Sequence, residues 1–496
     1  MDQNIVAIPF FIAIGAVVTY FVARVLPRDL RRWTGTFASL WLVCTFLLLL
    51  YMGGTGGPAG VSTLFPLLAP SALGLILALL VSGLGAVAAL YSQGRLAPEG
   101  PVQFYYPLLL FSLAGAAAVG FSRDLFTLFV IVELSAIPSY ALIAYNHRET
   151  PGAVGAAMKY LVQGVAGTVT ALLGVAVLYT AGHTLFISQL PGALAGTDPL
   201  VIGLGAALIL IGYGVKIAIV PLHTWLPDAY TLAPAGVTAV LTGATKIGAL
   251  FALFLSLSAL PWNMLPPAYL GALVSILAVV TMTAGNLIAL RQTDLRRLLA
   301  YSSVAQMGYI LLGFGIGIQY SLLLGIEAGL FYAVVYGVMK AGAFMTADMF
   351  TMTAGSADIS RMKGVGARHP VMGISFTVFI FGLIGVPATA GFLAKLLVFQ
   401  AGMATVAAGG VILALILAAN SALSLGYYVP VLSTVLFQGR EEGKDVHPGA
   451  GAGISLASGA GVVILALVTV LLGLYPQVFF DLIGQASQIL VFQGVR

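Results

Sequence analysis

Residues 215–248 read VKIAIVPLHTWLPDAYTLAPAGVTAVLTGATKIG, and the reading of this stretch decides the fold. Lys216 and Lys246 stand inside strongly apolar runs, where an ammonium group has no water to hold its charge. Between them Pro221, Pro227 and Pro234 remove backbone donors and interrupt helix, and His223 and Asp228 lie in the interruption. A lysine held out of water can lose its proton near neutral pH, and a helix broken inside a bilayer lines a polar cavity rather than lipid. The stretch therefore points to the middle of a proton path.

The rest of the composition agrees with a bilayer setting. Of 496 residues, 60% are hydrophobic and 7% charged; an ordinary soluble domain carries about 25% charged residues. The 60 glycines suit close helix packing in lipid. A single cysteine, Cys44, excludes an internal disulfide, a cysteine-ligated iron–sulfur cluster and a structural zinc site. The first apolar run has no basic flank before it and no small-residue cleavage site, so it is expected to be a retained helix.

Apolar runs of roughly 18–28 residues recur about fourteen times, each long enough to span the hydrocarbon layer. They centre near residues 14, 43, 82, 112, 134, 168, 210, 244, 279, 306, 335, 385, 418 and 464. The tail 477–494 is amphipathic and is expected at an interface. The longest polar connection, about 438–450, is too short for an inserted soluble domain.

If the runs alternate in direction, one face collects Arg24, Arg28, Arg31, Arg32, Arg95, Arg148, Arg291, Arg296, Arg297, Arg361, Lys363, Arg368, Arg440 and Lys444. The other face has Arg123 and Arg496. The positive-inside rule makes the first face cytoplasmic and puts both termini outside. The net charge of +5 thus reports topology and gives no reason to expect nucleic acid.

Five lysines remain: Lys159, Lys216, Lys246, Lys340 and Lys395, joined within the apolar runs by Glu133 and Glu327. Snorkelling to the interface explains Lys159 as well as a relay does. The lysines deeper in their runs are better explained by function. Span twelve, FIFGLIGVPATAGFLAKLLVF, breaks at Gly385-Val386-Pro387 and then presents Lys395. It lies five spans after the first broken one, and an odd offset reverses direction. A proline kink alone would account for one such span, but two in corresponding places suggest inverted five-helix repeats, each with one discontinuous helix.

Glu133 lies near the middle of span five and needs either a proton or a cation beside it. Lys216 is the candidate partner. Two unit charges about 4 Å apart interact by roughly 4 kcal/mol at an effective dielectric of 20, enough to decide whether the lysine keeps its proton. Gln163, Asn286, Ser302, Ser303, Gln306, Tyr332, Tyr336 and Asn420 supply a possible wire, though each alone is more often a helix–helix hydrogen bond. Tyr105, Tyr106, Trp225 and Trp262 read as aromatic belts at the interfaces.

The segments DLFTLFVIVELSAIPSYALIAY, VKIAIVPLHTWLPDAY, TDLRRLLAYSSVAQMGYILLG and GLIGVPATAGFLAK resemble the antiporter-like subunits of respiratory complex I, a family that includes Mrp-type cation/proton antiporters and membrane-bound hydrogenase subunits. The resemblance implies an all-α fold of about fourteen transmembrane helices with a polar axis along the midplane. It divides the chain into an N-terminal part (1–100), a first repeat (101–258), a second repeat (265–435) and a last helix with its tail (450–496). It implies Glu133 and Lys216 as a modulating pair, Lys246 as the central relay, Lys340 on the same axis and Lys395 as the second-half terminal residue. Lys159, His223, Glu327 and Gln306 are further relay candidates. Lys395 and the short chain, without a long lateral C-terminal helix, are similar to an N-type subunit of a bacterial complex or of an archaeal relative fed by reduced deazaflavin. YGVMKAGAF around Lys340 is closer to the other members, with Tyr332 and Tyr336 where they often carry histidine.

The expectation is a subunit of the prokaryotic plasma membrane that moves protons while quinone or methanophenazine is reduced in partner subunits, with no cofactor of its own. No nucleotide-binding glycine loop or metal-ligand cluster stands in the sequence. An Mrp-type cation/proton antiporter or a hydrogenase subunit is the alternative, and a self-contained solute transporter the third reading. The fourteen-to-two split of basic loop residues makes a first prediction. Single cysteines placed in the loops at 24–32, 291–297 and 358–369 should resist impermeant thiol reagents applied to intact cells; labelling from outside would reverse the orientation.

Overall fold

The computed structural model describes residues 2–54, 65–96, 101–262, 264, 266–438, 455–490 and 492. Arg440, Lys444 and Arg496, the polar connection 439–450, and 491, 493 and 494 of the tail lie outside the described residues.

Among the described residues, 13 helices are long and apolar enough to cross a membrane. They are α1 (Ile8–Val25), α2 (Thr34–Gly54), α3 (Ala72–Gln93), α4 (Val102–Ala118), α5 (Leu125–Ile143), α6 (Ala153–Gly182) and α7 (Pro199–Ile217) in the first half. A short α8 (Leu226–Leu232) precedes α9 (Ala235–Ser258), and α10 (Pro267–Ala289), α11 (Leu295–Gln319) and α12 (Leu323–Ala354) follow. The missing crossing is made by two short helices end to end, α13 (Pro370–Ile384) and α14 (Ala390–Ala404). Then come α15 (Ala408–Leu436), α16 (Leu456–Leu474) and the tail helix α17 (Gln477–Ser487). The chain is a polytopic all-α membrane protein, with fourteen crossings when the broken one is included.

Leu40, Leu47, Val162, Leu173, Ile276 and Leu415 are exposed on the outer helices, which is the arrangement for a surface solvated by lipid. α3, α4, α9, α11 and α12 are almost wholly buried and form the centre.

Both discontinuities follow from proline chemistry. At α7 the ladder stops at Ile217, because Pro221 has no N–H for the Ile217 carbonyl, and Ala218 turns left-handed at φ 59°. The Val215 carbonyl keeps the Ala218 amide at 3.1 Å and also takes the indole N–H of Trp225 at 2.8 Å, and the Val220 amide donates to Thr281 Oγ1 at 3.1 Å. At α13 the chain leaves through Gly385 at φ 93°, a conformation glycine adopts without cost, and Pro387 deprives the Leu383 carbonyl of its helical donor.

One local motif is built twice, at opposite ends of the bundle. Asp124 caps α5 by accepting from the Phe126 and Thr127 amides, and Asp294 caps α11 by accepting from Arg297. Two helices later the chain returns to each cap. Leu125 N donates to Leu185 O and Ile187 N to Arg123 O; Leu295 N donates to Ala357 O and Ile359 N to Thr293 O. α5 and α11 start from opposite faces, so the repeated unit is inverted. In the second unit Ser360, first, and Arg361 hold the exposed Asp358 carboxyl below its usual range.

Two sequence expectations are corrected. Tyr105, Tyr106, Trp225 and Trp262 are buried rather than belted at an interface. Three of them have protein partners for their polar atoms: Tyr105 shares a 2.8 Å hydrogen bond with Ser92, Trp225 donates to the Val215 carbonyl at 2.8 Å and Trp262 to the Leu257 carbonyl at 2.8 Å. The amphipathic tail lays its apolar face on protein, with Ile483, Ala486, Leu490 and Phe492 buried and Phe480 stacked on Phe331.

The join of α13 to α14 depends on a close approach, since a Cβ at Gly391 would overlap the Gly382 carbonyl oxygen, a backbone atom that cannot yield cheaply. Overpacking of this kind costs about 1–3 kcal/mol. Gly391→Ala is therefore expected to lower the thermal midpoint, whereas Gly192→Ala, with open space around it, should not. Equal midpoints in a thermal-shift measurement would show that the break tolerates a wider join.

Candidate functional site

Lys216, Lys246, Lys340 and Lys395 are all buried, each at most 7% exposed. Lys216 ends α7 at the break, and its ammonium lies 3.2 Å from Glu133 Oε1 on α5. The Glu133 contact is a charge pair without an aligned hydrogen bond, because the aligned donation from Lys216 goes to Tyr140 Oη at 2.8 Å. The Tyr140 and Tyr160 rings meet edge-on beside the ammonium, 5.3 and 5.8 Å from it by their centres, and Trp225 stacks behind Tyr160. Gly164 leaves the room, since a Cβ there would lie 2.8 Å from the Tyr140 hydroxyl.

Lys246 and Lys340 both reach α11, one turn apart. Lys246 donates to the Ser303 carbonyl at 3.2 Å and sits 5.6 Å from the centre of the Tyr336 ring. It follows a π-helical turn, Leu241–Thr245, which widens the ladder of α9 where the lysine emerges. Lys340 donates to the Leu299 carbonyl at 2.9 Å and to Ser302 Oγ at 2.5 Å.

At the second break the orphaned carbonyls find charged partners. Lys395 donates to Leu383 O at 2.9 Å, Ile384 O at 2.7 Å and Ser421 Oγ at 2.9 Å, which uses all three ammonium protons. Gln306 donates to the same Leu383 oxygen at 3.1 Å and accepts from Tyr332 at 2.7 Å. A neighbouring network joins Asn286 to Tyr309, Asn420 and Tyr427. Tyr309 also faces the Lys395 ammonium, 4.9 Å from its ring centre.

The four lysines thus line the centre of the bundle, while three other candidates stand elsewhere. Lys159 is half-exposed and paired with Asp228 at 2.7 Å, and Arg297 holds the other oxygen of that carboxylate at 3.2 Å. Glu327 lies beneath the tail, 3.5 Å from Ser487 Oγ. His223 is in the first break with Nδ1 buried and unpartnered, near the edge of Tyr301. Gln163 accepts from Thr224 on the exposed side of that break.

Sequence reasoning missed Tyr140, Ser421 and Thr281, because hydroxyls on apolar helices carry no distinctive pattern. It also missed Asp348, which pairs with Arg95 and Arg296 at 2.8 Å each and accepts from Tyr91 at 2.7 Å. Its signal was present: Asp348 falls eight residues after Lys340, on the same helical face.

Residues 122–423, which hold all four lysines and Glu133, match the family described as NADH:quinone oxidoreductase/Mrp antiporter, transmembrane. The chain is 35% identical over 393 residues to NADH-quinone oxidoreductase subunit N of Mycobacterium tuberculosis, covering 78% of this chain and 71% of that one. It is 36% identical over 409 residues to F(420)H(2) dehydrogenase subunit N of Methanosarcina mazei, with 78% of each chain covered. Among solved structures it resembles a chain of the membrane-bound sulfane sulfur reductase, an archaeal respiratory membrane complex, at a TM-score of 0.82 and 27% identity over 99% of both chains.

The Lys395 anchorage yields a prediction that isolates the proline. Pro387→Ala returns an N–H four residues after Leu383, and a restored ladder bond would compete with Lys395 and Gln306 for that oxygen. Activity of the assembled complex should fall several-fold, with normal amounts of the chain in the membrane. Unchanged turnover would show that the orphaned carbonyl is not what positions Lys395.

Proposed function

This chain belongs to the NADH:quinone oxidoreductase/Mrp antiporter family of transmembrane proteins, and from that premise we propose that it is the proton-translocating, N-type membrane subunit of a complex I-type oxidoreductase. Reduction of a quinone, or of methanophenazine, takes place in partner subunits, and this chain carries protons without a cofactor of its own. The observation that carries the reading is the half-buried Glu133 carboxylate 3.2 Å from the buried Lys216, followed by three more buried lysines without carboxylates.

In this reading Glu133 sets whether Lys216 holds its proton, Lys246 and Lys340 pass charge along α11, and Lys395 ends the path in the second half. Within the second half, Gln306 shares the Leu383 carbonyl with Lys395. The repeats run 101–258 and 265–435, after an N-terminal part (1–100) and before the last helix and tail (450–496). The arginine-rich face is cytoplasmic, the termini are outside, and the membrane is the prokaryotic plasma membrane. Neighbouring antiporter-like subunits fit the lateral faces: a cavity of about 380 Å³ opens beside Lys395 and Ser421, between α14 and α15.

A double-mutant cycle in the assembled complex tests the pair. Glu133→Gln and Lys216→Ala should each cut redox-driven proton pumping severely, and the double variant should be little worse than Lys216→Ala alone. Glu133→Asp should keep partial activity, because a carboxylate remains near the lysine. Strictly additive losses in complexes that assemble normally would remove the gating role.

A further inference from the structure

A polar cavity of about 250 Å³ opens at the arginine-rich end of the bundle. It lies among the last turn of α3, the first turn of α11, the last third of α12, the loop after α5 and the start of α9. Arg95, Tyr105, Glu149, Arg296 and Asp348 line it. Asp348 accepts from both arginines and from Tyr91, so the triad props these helix ends at a fixed separation. The buried Nε of Arg296 has no protein partner, and a charged donor beside a polar space of this size is satisfied by water.

The cavity approaches the lysine axis closely. On α12 the residues Tyr336, Lys340, Phe344 and Asp348 follow one another at four-residue spacing and share one face. Asp348 and Lys340 are eight residues apart, about 12 Å of helix rise. α11 shortens the gap further, because Arg296 lines the cavity and the Leu299 carbonyl, three residues on, already holds Lys340. What separates the two is a layer of rings. Phe344 is buried, 5.9 Å from the Lys340 ammonium by its ring centre, and Tyr230 meets it edge-on at 5.7 Å. The Tyr230 hydroxyl is buried without a hydrogen-bond partner.

We propose that this cavity is the proton-uptake mouth of the subunit and that the Phe344–Tyr230 ring pair is the plug between its water and Lys340, an inference that rests on the proton-translocating reading above. A closed ring pair keeps water out of a low-dielectric layer, so no proton crosses at rest. When the rings part and water enters, hydronium gives its proton to an unprotonated Lys340 amine, forming ammonium and leaving water; no electron moves. The unpartnered Tyr230 hydroxyl is placed to hold the first water that enters.

The test uses the assembled complex in inverted membrane vesicles, with Cys44→Ala as background. Thr150→Cys and Ser92→Cys, both on the cavity wall, should react with a charged, impermeant methanethiosulfonate. Redox-driven proton uptake should then fall several-fold relative to the treated background. Independently, Phe344→Ala should make the vesicles lose an imposed pH gradient several-fold faster, while Phe344→Leu, still apolar and bulky, should stay tight. If the labelled cysteine variants pump fully and Phe344→Ala vesicles are as tight as the background, the mouth and plug are overturned. Lys246→Ala, measured alongside, separates the two levels: its failure to pump keeps the proton-translocating reading, and normal pumping would sink that reading as well.

Discussion

Three of the four buried lysines in this bundle are held by backbone carbonyls and hydroxyls rather than by carboxylates. A helix in a bilayer normally consumes every one of its carbonyls internally, since nothing else can satisfy them. The structure obtains spare acceptors at Leu383 and Ile384, where Pro387 and Gly385 end the ladder, and the orphaned oxygens become the cage of Lys395. At α7 the Val215 oxygen, which keeps the Ala218 amide, takes Trp225 as its second donor, and Lys216 is left for Glu133 and Tyr140. A broken helix therefore supplies a partner for a cation at one end of the axis and a rigid ring wall at the other.

This difference explains how much was legible beforehand. The prolines, the glycine at 385 and the buried lysines are local signals, and they sufficed for the helical bundle, both breaks and the Glu133–Lys216 contact. Which side of a break each lysine occupies is visible too: Lys216 precedes its break and Lys395 follows its own, so the two are not equivalent members of a repeat. The interactions that no local pattern announces were missed. Asp348 and Arg95 are 253 positions apart, and only the fold joins them. Aromatic residues were assigned to the interfaces because belts are common there, yet the irregular backbone around the breaks leaves carbonyls that an indole N–H can satisfy inside. Lys159 shows the converse, a lysine in an apolar run that stays half-exposed and pairs with Asp228.

The inverted unit has a physical economy of its own. An aspartate cap followed two helices later by a returning segment fixes the direction of α5 and of α11 with the same few backbone bonds. Because the units are opposed, one clamp lies at each face, and α9, α11 and α12 between them are buried along most of their length. Those are the helices that contribute Lys246, the carbonyls of Leu299 and Ser303, and Lys340.

Anchorage along the axis is graded, and the grading bears on how charge would move. Lys395 has all three protons engaged, Lys340 two, and Lys246 a single carbonyl beside the π-turn. Among the described residues, the hydrogen bonds of Lys216 end at Tyr140 and those of Lys246 at Ser303, so direct bonds do not join the first lysine to the second. The hydroxyls of Tyr230, Tyr336 and Tyr428 are buried without protein partners. A buried hydroxyl pays a desolvation cost unless water reaches it. The places where the direct network is open are thus the places where the protein has left polar groups wanting a partner. A continuous wire of protein hydrogen bonds would conduct at all times. Gaps that only water can close make conduction conditional on hydration, and the least anchored lysine, Lys246, is the one whose ammonium gives up fewest bonds when that water arrives.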